Sequence, residues 1–261
     1  MAKTPAKTTK SGTAVAKKDD AAKAAAAEFL KNSMGNADAD SFAIPFLTIL
    51  QANSPQCDPQ DGAYIEGAQR GMILDTVTQE MFTTLEVFPV YFKREFIEWV
   101  LREKGGGIVA RYLPEDAPEY KERDVSGKRL WMVEGSDTNQ LVDTRQHYVM
   151  FRPIEGDGHW KPAMIGMTST QLKKSKRLMT MLKEQRKAGN LLTFKFGTVG
   201  ESNDKGSWSG WTIAPLSDAM EDAGLLEEAN EFQLALREDR VQVAGEEAMA
   251  SQDTEETGDS F

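Results

Sequence analysis

Thr83–Leu101 reads TTLEVFPVYFKREFIEWVL, the longest run of β-branched and aromatic residues in the chain. Residues of that kind fit a pleated, half-buried surface, so the run predicts a long strand and a β-rich body around it. Pro89 inside the run cannot donate to a ladder, which predicts an edge, a bulge or a bend there. Gly105-Gly106-Gly107 supplies a turn, and Ile108–Leu113 is placed to pair back across it.

On the N-terminal side, Ile44–Gln51 reads as a short strand stopped by Asn53-Ser54-Pro55, and Met72–Val77 as another. Gly62 and Gly67 punctuate the segment between them. On the C-terminal side, Pro114–Lys128 reads as a charged loop. Strands follow at Arg129–Val133, Gln146–Pro153 and Trp160–Thr168, the last two joined at Gly156-Asp157-Gly158. One strong helix interrupts them over Ser169–Ala188, with Ser169 or Thr170 as its cap and Gly189-Asn190 as its end. Leu191–Val199 and Ser209–Pro215 then form a hairpin across Asn203-Asp204-Lys205-Gly206, and a second helix is expected near Asp218–Leu236. The expected class is mainly β with one or two helices (α+β). Strands, one internal helix and a closing hairpin match an elaborated OB-like barrel, the architecture of many oligonucleotide binders. A β-sandwich satisfies the same order.

Charge divides the chain into three. Through Lys31, seven lysines face three acids, a net +4; from Asp218 onward, fourteen acids face Arg237 and Arg240, a net −12. The total is −10, so residues 32–217 carry only −2. The expected organisation is a basic, Ala/Lys-rich and largely disordered arm over 1–41 and a β-rich body over 42–217. A helix with an acidic disordered tail would follow over 218–261. One cysteine, Cys57, allows no internal disulfide, and two histidines twelve residues apart, His147 and His159, set no metal pattern. No apolar run reaches the roughly 18 residues that span a bilayer. With no secretory signal pattern, the expected location is the cytoplasm.

The internal helix carries the strongest functional signal. At helical spacing Leu172, Ser175, Leu178, Met179 and Leu182 share a face, while Lys173, Lys176, Arg177, Lys183 and Lys187 fall on the other, with Glu184 the only acid. An ordinary solvated helix face mixes both signs; a one-sign stripe suits a polyanion. Rings alternate with cations in Tyr91-Phe92-Lys93-Arg94-Glu95-Phe96 and Phe194-Lys195-Phe196. Single-stranded nucleic acid is held by bases stacking on rings while Lys and Arg follow the backbone. The candidate backbone contacts are therefore the five helix cations with Lys93, Arg94 and Lys195. Phe92, Trp208 and Trp211 are the candidate stacking rings, the two tryptophans because they flank Ser209-Gly210 and are expected to be exposed. Core filling is the commoner role of any one strand aromatic. Asp58, Asp61 and Glu66 cluster in a loop, an arrangement two-metal nucleases use, but at no diagnostic spacing. No phosphate-loop, kinase, hydrolase or dinucleotide motif is present, so no cofactor, metal or catalysis is expected.

The acidic run closing on Asp259-Ser260-Phe261 resembles the C-terminal tails of replication-type single-stranded-DNA-binding proteins of bacteria and tailed phages. Podovirus-type versions close on acids followed by phenylalanine; here Ser260 intervenes between the last acid and Phe261. Ile44–Pro55 (IPFLTILQANSP), Ser169–Leu182 (STQLKKSKRLMTML) and Asp204–Trp211 (DKGSWSGW) are similar to a group of phage proteins. The resemblance implies a non-enzymatic protein of phage replication or recombination in a bacterial host. Its tail, Glu255, Glu256, Asp259 and Phe261, would compete with DNA for a basic groove and recruit a polymerase, helicase or primase. A homodimer is compatible with it, as is strand annealing. The competing classes are a virion-assembly or interaction protein without DNA affinity and a metal-dependent nuclease.

Overall fold

The computed structural model describes residues 43–155, 158–203 and 206–244. The basic arm over 1–41, the Gly156-Asp157 turn and the acidic run from 245 onward, with Glu255, Glu256, Asp259 and Phe261, lie outside them.

Among the described residues the protein is mainly β with two α-helices. The 83–101 run forms one 17-residue strand, β5 (Thr84–Val100), paired along its length with the 15-residue β9 (Asn139–Pro153). This pair is the spine of an eight-stranded sheet. At one end β5 also pairs β11 (Leu192–Asn203), β11 pairs β12 (Gly206–Asp218), and β9 pairs β10 (Lys161–Met167). At the other end β5 pairs β6 (Ile108–Tyr112) across the glycine turn, while β9 pairs β8 (Lys128–Val133) and β8 pairs β7 (Tyr120–Val125). Three short strands, β2 (Leu47–Ile49), β3 (Ile73–Asp75) and β4 (Met81–Phe82), form a second sheet, and β1 (Ala43–Pro45) pairs in parallel with β13 (Gln242–Ala244).

Pro89 marks a bulge. The register slips between Pro89↔Val149 and Tyr91↔Tyr148, leaving Val90 unpaired. An extra residue inverts the alternation of everything beyond it. Leu85 and Val87 therefore point into one core with Val149 and Phe151, whereas Ile97 and Trp99, also odd-numbered, point into a second with Tyr148 and Met150. Each core has its own helix. Leu178 of α1 (Leu172–Ala188) enters the first; Leu225, Ala229 and Phe232 of α2 (Ala223–Arg237) enter the second.

The sheet is open among the described residues: its end strands β12 and β7 do not pair with each other. The gap between β10 and β12 is spanned by residues 46–51. Phe46 bridges Met164 on β10, and the Gln51 side chain bonds the backbone of Ser209 on β12 in both directions, donating at 3.0 Å and accepting at 2.8 Å. A side-chain amide thus supplies at β12 the pairing that a closed barrel would take from backbone.

Three expectations need correction. Pro114–Lys128 is not all loop, because Tyr120–Val125 (YKERDV) is a strand. Its polar alternation gave no apolar period because water meets most of both its faces, and pairing rests on backbone bonds to β8. The folded body does not stop at 217, since α2 seals the second core and β13 pairs with β1. Ser169 and Thr170 lie within a 3-10 turn (Ser169–Gln171) and do not cap α1, which ends as expected on Gly189 in the left-handed conformation (φ 72°).

Candidate nucleic-acid interface

Helix α1 contains seven bases, Lys173, Lys174, Lys176, Arg177, Lys183, Arg186 and Lys187, against Glu184. Burial of Ser175 and Leu178, with Met181 and Leu182 packed on the first core, fixes its rotation. Met181 takes the inward place expected of Met179. Lys173, Lys176, Arg177, Lys183 and Lys187 are then all exposed. Lys187 pairs with Glu184 at 2.9 Å and Lys174 with Glu201 of β11 at 2.7 Å. Lys173, Lys176, Arg177 and Lys183 form no ion pair among the described residues, so their field is not cancelled locally.

A cleft of about 250 Å³ opens where α1 meets β11 and β12. Lys174, Arg177 and Lys195 line it with Thr84, Thr198 and Thr212, and no carboxylate does. Gly197 is also in the lining, where a Cβ would come within 3.2 Å of the Thr212 hydroxyl and 3.4 Å of the Thr84 methyl. Two threonine side chains thus approach closely here, where a Cβ would be tight. Lysine and guanidinium nitrogens beside hydroxyls are donors suited to phosphate oxygens.

A buried polar contact helps to seat the helix. Nε2 of His147, on β9, lies 2.8 Å from the Ser175 hydroxyl, both groups buried. Burial, and secondarily the charge of Arg145, pushes the imidazole down to about 3, so it is neutral at physiological pH.

The remaining sequence candidates separate. Lys195 is exposed and meets Arg177 at the cleft. Phe92 is half-buried, its ring 5.1 Å from His147. Arg94 is bound to Asp143 by two bonds, at 2.9 and 2.8 Å, and Lys93, on the opposite face of β5, pairs with Glu95 at 2.6 Å. Trp208 and Trp211 are not exposed: 6% and 1% of their surfaces reach solvent. Ser209-Gly210 is mid-strand, paired with Gly200 and Val199, because β12 starts at Gly206. Trp211 meets Phe196 edge-on at 5.7 Å in the first core, its backbone N–H held by Gln171 Oε1 at 2.9 Å; Trp208 donates to Glu201 at 3.0 Å. Neither ring is placed to stack on a base. Asp58 and Asp61 accept backbone N–H bonds from Gln60 and Ala63, closing their own turns. The described residues contain no group of three or more His, Cys, Asp or Glu arranged to hold a metal ion.

Sequence reasoning missed the two glutamines that link loops to β12, Gln51 and Gln171, and it missed Arg145. Lys174 was legible, since it sits inside the basic run, but its place at the cleft depends on β11.

Fold and site together define a mainly β protein with a strongly basic helix laid against its sheet. A model of the Pam3 phage gp34-like protein family matches residues 15–242, most of the chain. The chain belongs to that family and is a phage protein. No curated protein and no solved structure matches it. Among the described residues no helix is long and apolar enough to cross a membrane.

Proposed function

We propose that this phage protein binds single-stranded DNA without regard to sequence, in phage replication or recombination, and acts by binding and not by catalysis. It protects unwound strands and recruits a polymerase, helicase or primase through its acidic C-terminal residues. The observation that carries the reading is the exposed face of α1: four cations with no ion pair among the described residues, one of which, Arg177, lines a cleft with Lys195 and no carboxylate. A protein of net −10 binds an anion this way because the local field, not the total, governs the encounter.

The test is fluorescence anisotropy with a labelled oligo-dT of about 35 nucleotides, long enough for several stacking and phosphate contacts. Duplex of equal length controls for simple charge attraction. Lys173→Ala, Lys176→Ala and Arg177→Ala together are expected to weaken binding to all sequences alike. They should also flatten the plot of log K against log salt by about 2, the loss of three phosphate contacts at ~0.7 each. An unchanged slope removes the helix from the interface. No binding of oligo-dT by the intact protein, even at low salt, overturns the reading.

A further inference from the structure

Beyond α1, the sheet carries a second cluster that the cleft does not use. Register places Arg94 opposite Arg145 and Phe96 opposite Asp143, on the face of the β5–β9 spine that also bears Phe92 and His147. Two guanidiniums share one carboxylate there. Asp143 gives both oxygens to Arg94, and Arg145 reaches it only at 3.9 Å. The Arg145 side chain is 12% exposed, and its buried Nε has no hydrogen-bond partner among the described residues. A largely buried guanidinium so poorly paired is costly, and an anion bonded to its outer nitrogens offsets part of that cost.

Rings continue from the same spot. The Arg94 guanidinium lies over Phe96, 5.2 Å from its centroid. Phe96 and Trp131 follow at 6.3 Å and 32°, and Trp131 stacks on Tyr120 at 4.8 Å and 24°. The ladder ends on Tyr120, 41% exposed, at the free edge strand β7. Burial pulls the Arg145 pKa below the ordinary arginine value, Asp143 opposes that, and Arg94 adds to it.

The geometry points to a base-and-phosphate subsite for single-stranded nucleic acid: one base extends the ladder on Tyr120, and a backbone phosphate is held at Arg145 and Arg94. This rests on the single-strand reading above and adds a second contact region to it. Guanidinium forks match phosphate geometry, and a ring face accepts any base, so the subsite has no sequence preference.

Trp131 is a built-in reporter. Of the five tryptophans, Trp99, Trp208 and Trp211 are buried, and Trp160 lies under Arg152 at 4.3 Å with its N–H on Asp222. The experiment titrates the intact protein with oligo-dT and with an abasic oligomer of the same length, following intrinsic fluorescence. Trp131→Phe identifies that residue's share. Quenching of the Trp131 share by oligo-dT but not by the abasic strand is expected. Tyr120→Ala, at an exposed ring, is expected to weaken oligo-dT binding by roughly 5- to 150-fold, the range for one lost base stack. Arg145→Lys, which keeps the charge and loses the fork, is expected to weaken binding of both strands. If oligo-dT binds and the α1 triple variant weakens it, yet Trp131 emission and Tyr120→Ala affinity stay unchanged, the ladder merely fastens β7–β8 to the spine and the subsite is overturned alone. If the intact protein binds no oligo-dT, the single-strand reading and this subsite fall together.

Discussion

His147 is 1% exposed on β9, with Ser175 of α1 on one side and the Phe92 ring on another. Its folded pKa of about 3 lies well below the ordinary imidazole value of 6.5. Between those values the unfolded chain binds a proton that the folded one excludes, so stability rises with pH across that window. The contribution is complete above 6.5 and is lost at up to about 1.4 kcal/mol per pH unit as the pH falls toward 3. Urea unfolding at pH 7 and pH 5 is expected to show a loss of about 2 kcal/mol that His147→Gln largely removes. An equal loss in the variant would assign the pH dependence to other groups. At this scale the sequence was legible where a residue's neighbours along the chain decide its surroundings. Lys173, Lys176 and Arg177 are exposed because their own helix turns them out. It was not legible for Trp208 and Trp211, whose burial depends on where β12 starts and on Gln171 from a distant turn. Nor could it show that Arg94 is half-neutralised, since Asp143 is 49 residues away and arrives only through register.

The bulge in β5 decides which side chains the two helices cover, and α2 returns to stabilise it. Gln233 donates from its side-chain nitrogen to the carbonyl of Val90, the unpaired residue, at 2.9 Å. Gln233→Ala leaves that part-buried acceptor without its protein partner, and the expected cost is about 1–2 kcal/mol in denaturant unfolding. A change within error would mean that water replaces the amide. Pro89 announced an irregularity, and its consequence needed the partner strand: only against β9 does the slip invert the parity that sends Leu85 and Ile97 to different cores. The length of β5 and the existence of α1 were readable from local pattern alone. β7 was not, because a strand wet on most of both faces has no period to read. α2 is also legible as a helix near Asp218–Leu236; what the acidic composition hides is that Leu225, Ala229 and Phe232, at helical spacing, are buried in the second core.

For the molecule as a whole, charge is arranged in sequence as a basic arm, a near-neutral body and an acidic end, while within the body seven cations share the one helix α1. Residues 245–261 carry six acids and no base. On the proposed reading, a polyanion tethered to the protein that presents the basic helix would act at a high effective concentration and compete with a nucleic-acid strand for the same cations. The fold sets where a test can cut. A form ending at Ser217 would strip α2 and β13 and expose Phe88, Trp99 and Met150 of the second core, so its behaviour would report unfolding. A form ending at Ala244 keeps every described element and removes residues 245–261, with their six acids and Phe261. It is expected to bind oligo-dT more tightly than the intact chain at low salt. The advantage should shrink as ionic strength rises, because attraction between charges in water is screened over a Debye length of about 10 Å at 0.1 M. Equal affinity of the two forms at low salt would mean that the acidic residues do not reach the helix. Weaker binding by the shorter form would mean that they take part in holding the strand. A gain that persists unchanged at high salt would point away from charge competition altogether, toward a contact made by Phe261 itself.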